Sequence, residues 1–185
     1  TPIVFISQTA EIGNHVRCDL VESYAEATRG LIERGYTEIG YCGGGIRPGS
    51  RADGLFRTLR ERALPGHHHV PVKSRLGGGE FEKAYQSMLQ YLESGQALAQ
   101  VYIVYSDLMA QGVFRALMEK GLRVPDNVAL MTTDNSVLAR TNSVPLTSIA
   151  YPAEEIARLA IGAVLGECEI QRTLVAPVVW RGSTR

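Results

Sequence analysis

Cysteine is scarce in this chain: Cys18, Cys42 and Cys168 are widely separated and form no CxxC pair. An odd, scattered set argues against both a disulfide framework and a structural zinc site, and it fits a reducing compartment. Long apolar runs are missing as well, none approaching the roughly 20 residues that a membrane-spanning helix needs. The opening TPIVFIS has neither the charged start nor the cleavage pattern of a secretion signal, so a cytoplasmic location is expected and a membrane partner is not. Nor does one sign of charge dominate. The 19 basic residues balance 19 acidic ones, which leaves no excess to neutralise a run of nucleic-acid phosphates. A helix-turn-helix head would need two consecutive short helices with a basic recognition face, whereas the chain opens on the apolar stretch Ile3 to Ile6. There is no internal repeat and no low-complexity tract.

What is present is alternation. A chain of 185 residues is long enough to withdraw about 70% of its extended-chain surface from water and form a core. After Ile3 to Ile6 and the short extended piece His15 to Cys18, the runs Thr37 to Cys42, Val70 to Lys73, Val101 to Tyr105 and Val128 to Met131 have the composition of strands. Amphipathic segments lie between them. Val21 to Arg34 is stopped by Gly35, and Arg51 to Ala63 carries Leu55, Phe56 and Leu59 on one face. Phe81 to Glu93 has the stripe Phe81, Tyr85, Met88, Leu89 and Leu92, while Leu108 to Lys120 has Leu108, Val113, Leu117 and Met118 before its stop at Gly121. Pro152 opens a further helix to about Leu165, with Ile156, Leu159, Ala160 and Ala163 inward, and Thr173 to Trp180 closes as an extended segment. Strands alternating with helices of about ten to fifteen residues predict βαβ units, hence an α/β fold on a parallel sheet with right-handed crossovers.

In open parallel sheets, ligands sit beyond the carboxyl ends of the strands, and the unit Tyr102 to Ser136 sets polar residues there. Asp134, just past a strand, is acceptor-only when ionised and can take hydrogen bonds from two adjacent hydroxyls of a sugar or polyol. Within Thr133-Asp134-Asn135-Ser136 it serves equally well as a turn residue. Ser106 is a second polar group at a strand end, or a plain helix cap. Arg51 follows a glycine-rich loop and opens a helix, where its planar fork can hold a hydroxyl pair, a carboxylate or a phosphate, or simply lie in solvent. The loop CGGGIRPGSR, Cys42 to Arg51, invites an anion, but Ser50-Arg51 stand where a P-loop needs Lys and Ser or Thr, and the dinucleotide pattern would need glycine at Pro48. No cofactor is therefore expected. His67, His68 and His69 are adjacent, so in an extended chain they alternate faces and cannot all reach one metal; they read as a solvated loop. No Ser, His, Asp or Cys, His set has the context of a catalytic motif, and a non-enzymatic role follows.

The run DLMAQGVFRALMEKGLRVPDNVALMTTD, Asp107 to Asp134, followed by Pro145-Leu146-Thr147-Ser148-Ile149 and the closing VVWRGSTR, resembles the effector-binding core of the lactose-repressor and galactose-repressor family of bacterial transcription regulators. The likeness extends back through LIERGYTEIGYCGG, Leu31 to Gly44, and the neighbourhood of Arg51, Gly54 and Phe56, so it covers nearly the whole chain. It implies a two-lobed fold of the periplasmic-binding-protein-like type I kind. Residues 1–18 and 151–171 would belong to the amino-terminal lobe, and residues 19–150 and 172–185 to the carboxy-terminal lobe. It further implies a homodimer, a DNA-binding head outside this sequence that alone meets the operator, and a small effector held between the lobes, half of whose pocket lies outside the chain. A sugar, polyol or sugar acid suits the polar residues best. By this comparison Arg51, Ser106 and Asp134 match effector-contacting positions. Asp19 stands where relatives carry an aspartate near the pocket, its alternative being a cap for the helix near Val21. Two departures bear on the ligand: Gly77-Gly78-Gly79 replaces an aromatic platform before the helix at Phe81, and Met131-Thr132-Thr133 replaces the usual glycine and aromatic. Two rivals are an exported solute-binding protein of a transporter, which the missing signal opposes, and a small α/β enzyme acting on a phosphorylated sugar, whose turnover would depend on Asp134.

Overall fold

The computed structural model describes residues 3–6, 13–73, 78–166 and 170–184; Cys168 and Gly77 lie outside them. Two short strands come first, β1 (Phe5–Ile6) and β2 (His15–Cys18). Helix α1 (Leu20–Glu33) is capped by Asp19, whose Oδ1 accepts the Glu22 N–H at 2.9 Å. The repeating units follow: β3 (Ile39–Gly43) with α2 (Arg51–Glu61), β4 (His69–Pro71) with α3 (Glu80–Glu93), β5 (Val101–Val104) with α4 (Asp107–Glu119), and β6 (Ala129–Thr133) with α5 (Val137–Thr141). The chain ends through β7 (Thr147–Ile149), α6 (Ala153–Val164), β8 (Gln171–Leu174) and β9 (Val178–Val179). The predicted alternation is present. Only α5 and β7 go unforeseen, because elements this short show no period.

Six strands form the larger sheet, in the order β4-β3-β5-β6-β7-β9, parallel throughout except that β9 runs antiparallel to β7. A smaller parallel sheet has the order β1-β2-β8, with α6 packed on it. The closing extended segment therefore divides. Val178–Val179 joins the larger sheet, and Gln171–Leu174 pairs with β2. Pairing there satisfies the edge of β2 opposite β1, which would otherwise present unmade backbone hydrogen bonds.

Both faces of the larger sheet are covered, which is why its strands are apolar almost without interruption. Ile39, Tyr41, Val101 and Ile103 point to the side of α1 and α2, against Tyr24, Leu31, Leu55 and Leu59. Cys42, Tyr102 and Val104 point to the side of α3 and α4, against Met88, Tyr91, Val113 and Leu117. Full burial of a Leu or Ile side chain contributes roughly 1.5–3 kcal/mol, so this two-sided coverage, more than helix propensity, holds the helices in place. The two helix pairs cross at glycines: a Cβ on Gly54 of α2 would overlap the Val21 carbonyl oxygen of α1, and one on Gly112 of α4 would overlap the Phe81 carbonyl oxygen of α3.

The three histidines are not one solvated loop. His67 is exposed, His68 is only 2% exposed, and His69 begins β4, its ring stacked on Tyr41 with centroids 5.6 Å apart and its Nε2 3.1 Å from the Gly44 carbonyl oxygen. Pairing of β4 with β3 draws them into an extended conformation whose alternation buries the middle ring. Among the described residues no group of three or more His, Cys, Asp or Glu is placed to hold a metal ion, and no helix is long and apolar enough to cross a membrane.

Candidate functional site

The strand order reverses beside β3. The chain moves outward from β3 to β4, then returns to the other flank of β3 as β5 and continues to β6 and β7. At such a point successive connections leave toward opposite faces of the sheet and open a crevice at the carboxyl ends of the strands. Here the loop after β3 leads to α2 on one face and Tyr105-Ser106 leads to α4 on the other. A cleft of about 510 Å³ lies between them, with Tyr41, Arg47, Arg51, Glu80, Lys83 and Tyr105 in its wall.

Arg51, the first residue of α2, is fixed by aromatic neighbours. Its guanidinium lies 4.0 Å over the Tyr105 ring and 6.0 Å from the Tyr24 centroid, and its Nη1 donates to the Tyr105 carbonyl oxygen at 3.0 Å. Tyr24 is fully buried, its phenol pushed up to about 12 by that burial, and its hydroxyl lies 2.7 Å from Thr133 Oγ1. Ser106 caps α4, accepting the Met109 N–H at 3.2 Å, and donates to Glu80 Oε2 at 2.9 Å, so it reaches the cleft through Glu80.

Asp134 stands immediately beyond β6 with φ of +104°, a backbone conformation that is costly for a side chain other than glycine. Its amide donates to the Ile149 carbonyl at 3.0 Å, which holds the turn, and the residue itself is exposed. Partial burial of the carboxyl raises it to about 6, helped by the negative charges of Asp107 and Glu80; the Asp107 N–H and Arg51 pull the other way. Asp134 consequently shares one electrostatic environment with Arg51 and Glu80. It lines a second cleft, of about 590 Å³, together with Tyr151, Arg140 and Glu154. Asp107 itself is buried and fastens the next turn, its Oδ2 accepting the Ser136 N–H at 2.6 Å. Of the four residues singled out in the sequence, Arg51 lines the first cleft and Asp134 the second, Ser106 is tied to the first through Glu80, and Asp19 caps α1 and lines neither. The rim combines guanidinium and ammonium donors, carboxylate acceptors and two tyrosine rings, a set suited to gripping a small polar molecule.

A family model described as a periplasmic binding protein-like domain matches residues 28–184. The chain belongs to that family. Among its relatives, the ribose operon repressor of Haemophilus influenzae is 30% identical over 156 residues, 80% of this chain and 46% of the relative. The HTH-type transcriptional repressor PurR of Edwardsiella ictaluri is 33% identical over 151 residues, 79% of this chain and 42% of the relative. This periplasmic-binding-protein-like chain therefore spans about half the length of the curated relatives it matches. Both are repressors by name. A LacI family transcriptional regulator from Enterococcus faecium, solved with bound ribose, shares the fold with a TM-score of 0.78 at 22% identity, over 99% of this chain and 70% of that one.

Several groups that build the site in this periplasmic-binding-protein-like chain escape sequence reasoning. Tyr105 reads as the end of a buried strand, yet its ring supports Arg51. Glu80 directly follows the glycines that replace an aromatic platform, and a search there for aromatics alone passes it by. Phe81 does not stand in for the platform, since its ring stacks on Tyr85 along α3 with centroids 6.4 Å apart. The available signal for Glu80 is its place at a helix start, where a carboxylate is favoured.

Proposed function

We propose that this chain is the effector-sensing portion of a LacI-type transcription regulator, binding a sugar, polyol or sugar acid, acting as a homodimer in the cytoplasm and meeting operator DNA through a separate head. The observation that carries this is the convergence of Arg51, pinned on Tyr105, with the Ser106–Glu80 pair and the carboxyl of Asp134 on the rim of the strand-order switch. Donors and acceptors in that mixture suit adjacent hydroxyls. The repressor relatives and the ribose-bound structure support the same class of ligand. The even charge balance supports DNA contact being made elsewhere. Regulation would follow from the two sheets, as two lobes, taking two relative arrangements for which the ligand has different affinities.

The test is a thermal-shift screen against pentoses, hexoses, polyols and sugar acids, followed by calorimetry on the hits. A ligand at about 100 times its dissociation constant stabilises by roughly 2.7 kcal/mol, a readily measured rise in melting temperature. If the whole panel leaves the melting temperature unchanged and gives no heat of binding, the carbohydrate assignment fails.

A further inference from the structure

The cleft at the strand-order switch is charged in one sense. Arg47, Arg51 and Lys83 line it, and among the described residues Glu80 is the one carboxylate in its wall. Three cations therefore face a single anion, in a chain whose formal net charge is +0. Arg51 and Lys83 are half-buried, where a charge is less screened than in open solvent. Among the described residues the acids that pair with arginine or lysine pair elsewhere, Glu22 with Arg29 and Arg57, Glu26 with Arg29, Glu61 with Arg57, Glu93 with Lys120 and Asp126 with Arg123, and neither Arg47 nor Lys83 has an ion-pair partner.

The start of α2 adds to this. Ser50 occupies its N-cap but makes no cap bond: its hydroxyl donates to the Arg47 carbonyl at 2.6 Å and accepts the Arg47 N–H at 3.2 Å. The first-turn amides are left without a side-chain acceptor at the positive end of the helix dipole, beside the arginines. Asp53, the acid of that turn, accepts the Gly49 N–H at 3.1 Å and is not part of the cleft wall. A neutral sugar would leave the surplus cations uncompensated, whereas a carboxylate or phosphate meets the arginine forks in two-bond geometry and the ammonium as a point charge. Asp134, within electrostatic reach of Arg51 and Glu80, would repel such a group and attract hydroxyls.

We infer that the cleft bounded by Arg47, Arg51 and Lys83 is an anion subsite, so that the ligand is a carbohydrate carrying a carboxylate or phosphate, its charged end on α2 and α3 and its hydroxyl end toward Asp134. The inference rests on the carbohydrate-binding reading, and the experiment separates the two. The purified protein is titrated calorimetrically with ribose, ribonate and ribose 5-phosphate, with the matching forms of glucose, and with inorganic phosphate alone. The same titrations are run on the Arg47→Gln/Lys83→Gln double variant and on Lys83→Gln, after thermal unfolding confirms that each is folded. A charged form is expected to bind at least about ten-fold more tightly than its neutral parent. That preference should shrink with added salt and fall to within about two-fold in the double variant. Neutral sugars binding as well as charged ones, or a preference that survives the double substitution, would overturn the subsite while leaving the carbohydrate reading intact. Phosphate binding that depends on Arg47 and Lys83, with no sugar bound, would uphold the subsite and overturn the carbohydrate reading. Silence from every charged probe overturns the subsite. Whether carboxylate or phosphate is the natural group is read from which charged form binds the more tightly.

Discussion

Arg51 meets Tyr105 twice, stacking 4.0 Å over its ring and donating to its carbonyl oxygen at 3.0 Å. One residue at the end of β5 thus fixes both the plane and one edge of a guanidinium that starts α2. The remaining N–H groups of the fork are pre-aimed, which spares a ligand the entropy of ordering them. Arg51→Lys keeps the charge and loses the plane. We expect this variant to bind ligand about ten- to a hundred-fold more weakly, in line with the loss of a charge-assisted bidentate contact. Calorimetry reads the affinity, and a binding constant unchanged from wild type would remove Arg51 from the site.

Gly54 and Gly112 are where the paired helices touch backbone to backbone, against Val21 and Phe81 respectively. The obstructing atoms are main-chain oxygens, which cannot rotate out of the way. Alanine at either position must separate the helices, and overpacking of this kind costs about 1–3 kcal/mol. Urea unfolding of Gly54→Ala and Gly112→Ala should show midpoints lowered accordingly, with Gly54→Ala also weakening ligand binding because α2 carries Arg51. A midpoint equal to wild type would show that the crossings are looser than described.

These crossings also explain what the sequence made legible and what it hid. Alternating strand and helix patterns locate nearly every element of the larger sheet, because period and stop signals are local. The buried faces are not local. In α3 the stripe Phe81, Tyr85, Met88, Leu89 and Leu92 is fully buried only at Met88 and half-buried elsewhere, and the face turned inward is Ala84, Ser87, Met88 and Tyr91. In α4 Val113 and Leu117 of the stripe are buried, but Leu108 and Met118 are 43% and 53% exposed, while Ala110, Gly112 and Ala116 are buried. Close approach of α3 and α4 rewards small residues at the contact, a preference that hydrophobicity alone reverses. In the site, strand-end polar residues such as Asp134 and Ser106 were visible because the sheet rule places them. Glu80 and Tyr105 were not, since their roles depend on which loops the strand order brings together.

His68 predicts acid sensitivity. It is 2% exposed and neither ring nitrogen has a hydrogen-bond partner among the described residues. Burial holds its pKa below the usual 6.5, with the neighbouring His67 adding to the effect while Glu38 opposes it. A depressed value in the folded state means that the unfolded chain takes up the proton first, so stability is full above pH 6.5 and is lost as the pH falls below it. Urea unfolding at pH 7 and pH 5.5 should show wild type losing more stability on acidification than His68→Leu. Parallel losses in the two proteins would clear His68 of the effect.

Asp134 works in the opposite direction. Its carboxyl titrates at about 6 against an ordinary 3.8, so the folded state holds the proton more tightly; the stability this contributes is complete below pH 3.8 and disappears as the pH rises through 6. Because the residue is exposed, that contribution is small. Ligand affinity has the contrary sign, since only the ionised carboxylate accepts hydrogen bonds from hydroxyls on both oxygens. Affinity for a polyhydroxylated ligand should therefore climb between pH 5 and pH 7, and Asp134→Asn should flatten the climb. Asp134→Ala should bind about ten-fold more weakly, the worth of a hydrogen bond to a charged group, yet melt no lower than wild type. The side chain packs into no core cluster, and its removal relieves repulsion from Asp107 and Glu80. Calorimetry at pH 5, 6 and 7 on the three proteins checks all of this, and an identical pH profile in Asp134→Asn would locate the titrating group elsewhere.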